Sequence, residues 1–354
     1  MISWIKEFRF YRHLFRWGNI GDAFKDYLLY SFAQDKCKTN LLSLNFLITS
    51  MCNLGCSICS FGSNLNSTDN GITLEDFEKF IGRISGKNKP VLFFSGGEPF
   101  LREDIFDILK VAKKHEFQCG VNTNGTLLDE VKINRLIELG VELLIFSIYG
   151  PQDIHDALTS VKGSYAKILE AVRLTCAQKT KKTKVILSST ITRQGLDTLE
   201  TIPSLAKGLG VDAVKFEHLN FITSQELRNR RLGTLLTDAY NSSDGFSSKL
   251  IERLANIRKK YGNFVLIKPD LNSQEIKNWY AGEFRTKRKC FFIWHSLFIR
   301  PDGVVTPCQF LLDYELGAIQ KQSPEEIFNN TKIFGLRKAL RRGLLPECCR
   351  CCKL

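Results

Sequence analysis

No stretch of this chain approaches the roughly 18 consecutive apolar residues of a membrane-spanning helix. Its N-terminus has neither an uninterrupted apolar core nor a small-residue cleavage site. A spanning protein and a secreted precursor are therefore both disfavoured, and the expected location is the cytoplasm. A nucleic-acid-binding motif is missing as well. Acidic side chains are scarce, with 37 Asp and Glu against 50 Lys and Arg, for a formal charge of +13. Such an excess points to an anionic partner without choosing among nucleic acid, a membrane surface and a phosphorylated substrate. Lys179 to Lys184, four lysines in six residues, reads as a solvated turn between a helix and a strand.

What is present is ordinary globular material: 354 residues, 44% hydrophobic and 25% charged, enough for one large domain and a smaller one. In a reducing compartment the 12 cysteines are expected to bind metal or act in catalysis rather than form disulfides. They are unevenly placed. Cys52, Cys56 and Cys59 form a Cys-x3-Cys-x2-Cys loop directly after the apolar run Leu44–Ile48, and Cys348, Cys349, Cys351 and Cys352 end the chain. Cys290 and Cys308 lie between. Cys37, Cys119 and Cys176 stand alone and read as inert buried thiols. Thiolates select soft metals and iron–sulfur clusters. Three in one short loop leave a tetrahedral site or a cubane one corner short, and an open corner is the mark of a catalytic rather than a structural centre.

Residues 2 to 17 read as an amphipathic helix, with Trp4, Phe8, Tyr11 and Phe15 on one face and Arg9, Arg12 and Arg16 on the other. The aromatic stripe is expected to pack on the main domain; peripheral contact with an anionic membrane is the competing reading. From residue 44, strand-like and helix-like segments alternate. Strands are expected at Leu44–Ile48, Val91–Phe94, Gln118–Asn122, Leu143–Ile148, Val185–Thr190 and Ala213–His218. Helices are expected at Leu74–Ile84, Ile105–His115, Leu127–Leu139, Ser164–Cys176 and Leu196–Leu209. Six β-α units imply a parallel sheet with right-handed crossovers, either an open doubly wound sheet or a barrel. In both, ligands bind beyond the C-terminal ends of the strands. The three-cysteine loop, Ser95-Gly96-Gly97-Glu98-Pro99, Thr123-Asn124-Gly125, Ser147 with Tyr149, and Ser188-Ser189-Thr190 all fall on that rim.

Residues 220–250 read as a loop or insertion. A helix from about Ser247 to Lys260 and a strand Phe264–Ile267 follow. Beyond the basic run Arg285–Lys289, Cys290 and strand-like Phe291–Ile299 lead into Arg300-Pro301-Asp302-Gly303, Val304–Thr306 and Cys308. Pro-Asp-Gly between two β-rich runs predicts a hairpin with a thiol at each outer end. Helices are expected near Pro324–Asn329 and Ile333–Arg342. The terminal thiols offer two overlapping Cys-x2-Cys pairs, and with the hairpin pair either could supply four thiolates for a second metal site.

These motifs together resemble radical S-adenosylmethionine (SAM) enzymes with a C-terminal auxiliary-cluster module of the SPASM/Twitch type. The resemblance rests on Cys52-x3-Cys56-x2-Cys59, Gly96-Gly97-Glu98-Pro99, Thr123-Asn124-Gly125, Cys290-x12-Gly303-x4-Cys308 and the final paired cysteines, and spans about residues 44 to 354. It implies an α/β fold: a partial (β/α)6 TIM-like barrel over 44–268, a small Cys-rich α+β auxiliary domain over 269–354, and a helical extension over 1–43. It implies that Cys52, Cys56 and Cys59 ligate a [4Fe–4S] cluster whose fourth iron takes SAM. An electron entering the sulfonium would then release a 5′-deoxyadenosyl radical that abstracts hydrogen from a substrate.

By position in the family pattern, Gly96, Gly97 and Glu98 hold the methionine ammonium. Ser147, Ser189 and Asn124 are further SAM-binding candidates, Asn124 competing with a plain turn role. His155-Asp156 resembles a family pair, with a helix-initiating role as the alternative. Ile58 replaces the aromatic residue common before the third cysteine. The Pro-x-x-Cys-Arg-x-Cys register favours Cys349 and Cys352, with Cys290 and Cys308, as ligands of a second, auxiliary [4Fe–4S] cluster over a structural zinc.

The expected activity is oxidation or cross-linking and maturation chemistry on an anionic substrate. That substrate is small, lipid-linked or peptidic, and the electron donor is flavodoxin or ferredoxin. The basic clusters Arg285–Lys289 and Arg337-Lys338 with Arg341-Arg342 are the expected attractors of the anion. The alternatives are a peptide-modifying or sulfatase-type maturase, and a non-catalytic iron–sulfur electron-transfer protein or scaffold.

Overall fold

The computed structural model describes residues 11, 14, 21, 41–59, 61, 66, 71–223, 245–282, 284 and 286–354. Most of the N-terminal helix expected at 2–17, and Cys37, lie outside the described residues. The βα alternation is present: β1 (Ser43–Thr49), α1 (Leu74–Gly82), β2 (Val91–Gly96), α2 (Ile105–Lys114), β3 (Cys119–Thr123), α3 (Glu130–Glu138), β4 (Leu143–Ser147), α4 (Gln152–Thr159), α5 (Ser164–Gln178), β5 (Lys184–Ile191), α6 (Thr201–Gly208), β6 (Ala213–His218), α7 (Phe246–Tyr261) and β7 (Val265–Lys268). After α8 (Ser273–Trp279) come β8 (Ser296–Ile299), β9 (Val304–Thr306), β10 (Gly317–Ala318), α9 (Pro324–Phe328) and α10 (Thr331–Arg342).

Among the described residues one sheet holds all the strands, in the order β10-β9-β8-β1-β2-β3-β4-β5-β6-β7. Every neighbour from β8 through β7 is parallel, and the hairpin strands β8, β9 and β10 pair antiparallel. The Pro-Asp-Gly turn forms as its chemistry requires. Gly303 has φ +83°, Arg300 N donates to the Val304 carbonyl at 2.8 Å, and Asp302 accepts from Val304 N at 3.1 Å. The strand-like run expected from Phe291 begins only at Ser296, because residues 292–294 turn into a 3-10 helix. The sheet also runs across the division expected between 268 and 269, since β8 is laid on β1.

Local signals explain several helix boundaries. Thr73 caps α1 by accepting from Asp76 N at 3.0 Å. Leu196–Leu209, expected as one helix, is a 3-10 turn followed by α6. Two short helices, α4 and α8, were not anticipated. The start of α5 is capped from a distance: Asp156 accepts from Gly163 N, Ser164 Oγ and Tyr165 N at 2.7–2.9 Å. Asp156 thus takes the helix-initiating role. The lysine-rich turn before β5 closes on Asp212, which binds Lys179 and Lys184 at 2.7 and 3.1 Å.

The strand alternation divides the apolar residues between two faces. The outer face packs against the helices in the main core, which includes Phe46, Phe94, Val121, Phe146, Leu187 and Phe216. On the other face Val91 of β2, Leu143 and Ile145 of β4, and Ile186 of β5 gather in a second cluster around Leu14. On a flat sheet β2 and β5 would lie about 14 Å apart at about 4.8 Å per strand. The sheet curls around this inner cluster, as the partial barrel requires. Leu14 is 1% exposed, so at this position the N-terminal segment packs on the barrel. Cutting Leu14 back with Leu14→Ala should destabilise the protein by about 2–5 kcal/mol, read as a lower denaturation midpoint with an unchanged m-value.

Candidate active site

The three-cysteine loop is positioned from both sides by backbone. After β1, Gly97 N donates to the Thr49 carbonyl at 2.8 Å and Glu98 N to the Met51 carbonyl at 2.7 Å. The Gly-Gly turn thereby sits directly on the lead-in to Cys52. Only glycine allows this approach. Gly96 has φ +132°, and a Cβ on Gly97 would lie 2.0 Å from the Met51 oxygen. From the other side, Gly55 N and Ser57 N donate to the Thr159 and Leu158 carbonyls at the end of α4, at 3.0 and 2.9 Å. Ser160 Oγ donates to the Gly55 carbonyl.

The thiols of Cys52, Cys56 and Cys59 are free and partly accessible. Burial and the charges of Cys59 and Cys52 push the Cys56 thiol up to about 12. Burial likewise raises Cys52, with Glu98 and Cys59 adding to the effect. Three crowded thiolates are therefore unfavourable without a cation, and a soft cationic centre would relieve that repulsion. The donor set fits an iron–sulfur cluster on that ground.

Glu98 occupies a different position from the one expected. It is fully buried, accepting from Thr123 Oγ1 at 2.7 Å, Asn124 N at 2.7 Å and Phe100 N at 3.2 Å. Its carboxylate ties the Gly-Gly turn to the Thr123-Asn124-Gly125 turn, and burial outweighs these bonds to lift its pKa to about 7. Asn124 takes the turn role. Its Oδ1 accepts from Thr126 N at 2.9 Å, and its Nδ2 donates to Asn53 of the cysteine loop at 2.9 Å.

Ser147 ends β4 on the inner face, close to Tyr149. Burial raises the Tyr149 phenol, and the thiols of Cys56 and Cys59 add to that rise. Tyr149 also stacks on His155, with ring centroids 5.6 Å apart, and His155 Nδ1 accepts from Tyr149 N. Burial lowers His155 to about 4. Tyr149 and His155 are thus part of the site's wall; the sequence signal was their position just past the fourth strand. Ser189 is corrected by the strand period. It pairs with Phe216 on the face that carries Leu187 and Ile191 into the helix-covered core, and Ser188 takes the inner position.

In the tail, Arg350 fixes the terminal cysteines to the barrel side. It donates to the carbonyls of Trp279, Ala281 and Gly282 and stacks on Phe221 at 4.4 Å. Burial raises Cys308 to about 12, and the neighbouring thiols of Cys290 and Cys352 contribute. Burial also raises Cys348, and the charges of Cys308, Cys290 and Glu347 add to it. Cys351 is raised by its bond to Cys352, by burial, and by Cys290 and Cys308. Cys349, favoured by register, instead points its Sγ at the Leu345 carbonyl, 3.6 Å away. After the short 3-10 turn at Pro346–Cys348, Cys348, Cys351 and Cys352 all share electrostatic influence with the hairpin pair. Among the described residues no three ligating side chains have closed into ready metal geometry.

Two of the expected anion attractors, Arg288 and Arg337, are engaged within the protein. Arg288 grips Glu275 through two bonds of 2.8 Å. Arg337 is fully buried, bonded to the Ile293 carbonyl and stacked on Phe328 at 4.5 Å.

Comparison with known proteins agrees with this geometry. Residues 46–202 match the radical SAM superfamily model and residues 290–353 match an iron–sulfur cluster-binding domain, SPASM. The chain is 25% identical over 295 residues to an AdoMet-dependent heme synthase of Methanosarcina barkeri, covering 81% of this chain and 82% of the relative. It is 32% identical over 215 residues to a pre-heme d1 synthase of Dinoroseobacter shibae, covering 56% of this chain and about half, 51%, of that relative. In fold it resembles Streptococcus suis SuiB bound to the precursor peptide SuiA, with a TM-score of 0.64 at 13% identity over 84% of this chain and 67% of that one.

Two substitutions test the site. Gly97→Ala should displace the Met51 carbonyl and lower the iron retained after anaerobic reconstitution at least severalfold. Glu98 takes up a proton on folding, because its folded pKa of about 7 lies above the ordinary 4.5. Its contribution to stability is full below about pH 4.5 and is lost as pH rises to about 7, by about 3 kcal/mol. Glu98→Gln should flatten that slope in denaturation of the apoprotein between pH 5 and pH 7.

Proposed function

Because the chain belongs to the radical SAM superfamily and carries a SPASM domain, we propose that it catalyses net oxidation of an anionic substrate, with the electron for SAM cleavage delivered by a flavodoxin or ferredoxin. Bound at Cys52, Cys56 and Cys59, a [4Fe–4S] cluster with SAM supplies the 5′-deoxyadenosyl radical that takes hydrogen from the substrate.

The remaining work belongs to the protein. Gly96 and Gly97 bring backbone close enough to receive the methionine ammonium. Glu98 holds that turn against the Thr123–Gly125 turn instead of meeting the amine at the surface of the site. Ser147 is the inner-face hydroxyl available to SAM, and the stacked Tyr149 and His155 help exclude water from that end of the barrel. In the tail we assign Cys290, Cys308, Cys348 and Cys351 to the auxiliary cluster, with Cys352 adjoining. Held there, a second cluster would supply an electron acceptor, which favours oxidation as the outcome.

The observation that carries this reading is the docking of the Gly-Gly-Glu turn on the three-cysteine loop. An electron carrier or scaffold needs no amine-binding turn there. A peptide substrate is the second reading, favoured by the likeness in fold to a protein seen with its precursor peptide.

Anaerobic reconstitution followed by SAM and dithionite should yield 5′-deoxyadenosine. Replacing Cys52, Cys56 and Cys59 with alanine should abolish it. Replacing Cys290 and Cys308 should spare uncoupled cleavage and stop product formation. Iron-replete protein that cleaves no SAM would establish the scaffold instead.

A further inference from the structure

Among the described residues, three that are not glycine adopt a left-handed backbone: Asn66, Glu116 and Ser160. Such a backbone is strained for an ordinary side chain and persists where its surroundings require it. Glu116 lies in the turn after α2; the other two brace the three-cysteine loop. Asn66, at φ +57°, accepts from Cys52 N through its Oδ1 at 2.9 Å, and its own N donates to the Ser50 carbonyl at 3.0 Å. Ser160, at φ +58°, ends α4 at a position where glycine is the usual residue. Its Oγ donates to the Gly55 carbonyl at 3.1 Å.

The same turn presents the Thr159 and Leu158 carbonyls to Gly55 N and Ser57 N. Cys59 N is bonded to the Cys56 carbonyl at 3.1 Å. The amides of Cys52, Gly55, Ser57 and Cys59 are therefore all given to oxygen, and an amide so engaged is withheld from sulfur. Asn53 and Leu54 are the contrast, their amides favouring the Cys52 thiolate. Hydrogen bonds to the sulfurs are one of the levers that set the reduction potential of an iron–sulfur centre. An N–H aimed at sulfur stabilises the more negative, reduced form and raises the potential. Amides turned to oxygen leave that form less stable. The last carbonyls of α4 act in the same sense, since the C-terminal end of a helix carries partial negative charge. Both effects make the reduced centre a stronger donor to the sulfonium of SAM.

Resting on the assignment of a [4Fe–4S] cluster to Cys52, Cys56 and Cys59, we propose that Asn66 and Ser160 are positioning residues that keep the potential of that cluster low. They fix the amides of the loop on oxygen acceptors, Asn66 directly and Ser160 through the end of α4. A left-handed serine is thereby explained where glycine would fit without strain, because glycine has no hydroxyl for the Gly55 carbonyl.

Full-length protein is reconstituted anaerobically, and the EPR signal of reduced cluster that changes on adding SAM is titrated against solution potential. Following only the SAM-responsive signal keeps the auxiliary cluster out of the measurement. Ser160→Gly and Asn66→Gly each remove one side-chain bond and leave the backbone unstrained. Each should move the midpoint upward, so that the reduced-to-oxidised ratio at one fixed potential rises about fivefold, the worth of one ordinary hydrogen bond. Asn66→Asp keeps an acceptor for Cys52 N and should leave the midpoint at or below its original value. Residues that only support the fold would instead alter denaturation of the apoprotein and leave the midpoint in place. An unchanged or lower midpoint, or loss of iron, in one glycine variant would overturn the role of that residue, and in both would overturn the proposal. Unsubstituted protein that binds iron but gives no SAM-responsive signal would remove the cluster assignment itself, a different failure from an unmoved midpoint.

Discussion

The contact on which the site depends is a pair of backbone hydrogen bonds, from Gly97 N and Glu98 N to the carbonyls of Thr49 and Met51. They join the end of the second strand to the start of the three-cysteine loop, and a Cβ at Gly97 would fill the space they occupy. The neighbouring parts follow from that contact. Glu98, brought inward, can reach Thr123 and Asn124, and Asn124 can reach back to Asn53. Three successive βα turns become one hydrogen-bonded unit around the cysteines.

The buried Glu98 shows how a motif residue can serve its site indirectly. Its carboxylate meets three protein donors and no open surface, so its charge is spent on organising backbone. Desolvation nevertheless wins over those bonds in setting its pKa, a sign of how dry the interface between the turns is. The amine-binding function expected of the Gly-Gly-Glu-Pro sequence then rests on the backbone that Glu98 supports.

Much of the architecture was legible because it is periodic. Apolar residues at helical and alternating spacing located the first seven parallel strands and most helices, and Pro-Asp-Gly announced the hairpin. The cysteine spacings identified both thiol groups. Side-chain direction was less legible. Ser188 and Ser189 are chemically identical neighbours, and only the pleat decides which one faces inward. Cys348 and Cys349 pose the same question in the tail, at the end of a 3-10 turn. Long-range pairing was also hidden. Arg337 and Arg288 read as exposed charge because their partners, the Ile293 carbonyl and Glu275, lie 44 and 13 residues away. Glu217 of β6 and Lys268 of β7 are far apart in sequence, and strand register sets them side by side.

The parallel pairing of β8 with β1 has a mechanical consequence. The hairpin between Cys290 and Cys308 is not joined to the barrel by a linker alone, because it continues the strand ladder that carries the three-cysteine loop. A substitution that weakens the pairing of Leu44 with Leu297 would therefore loosen the supports of both thiol groups together.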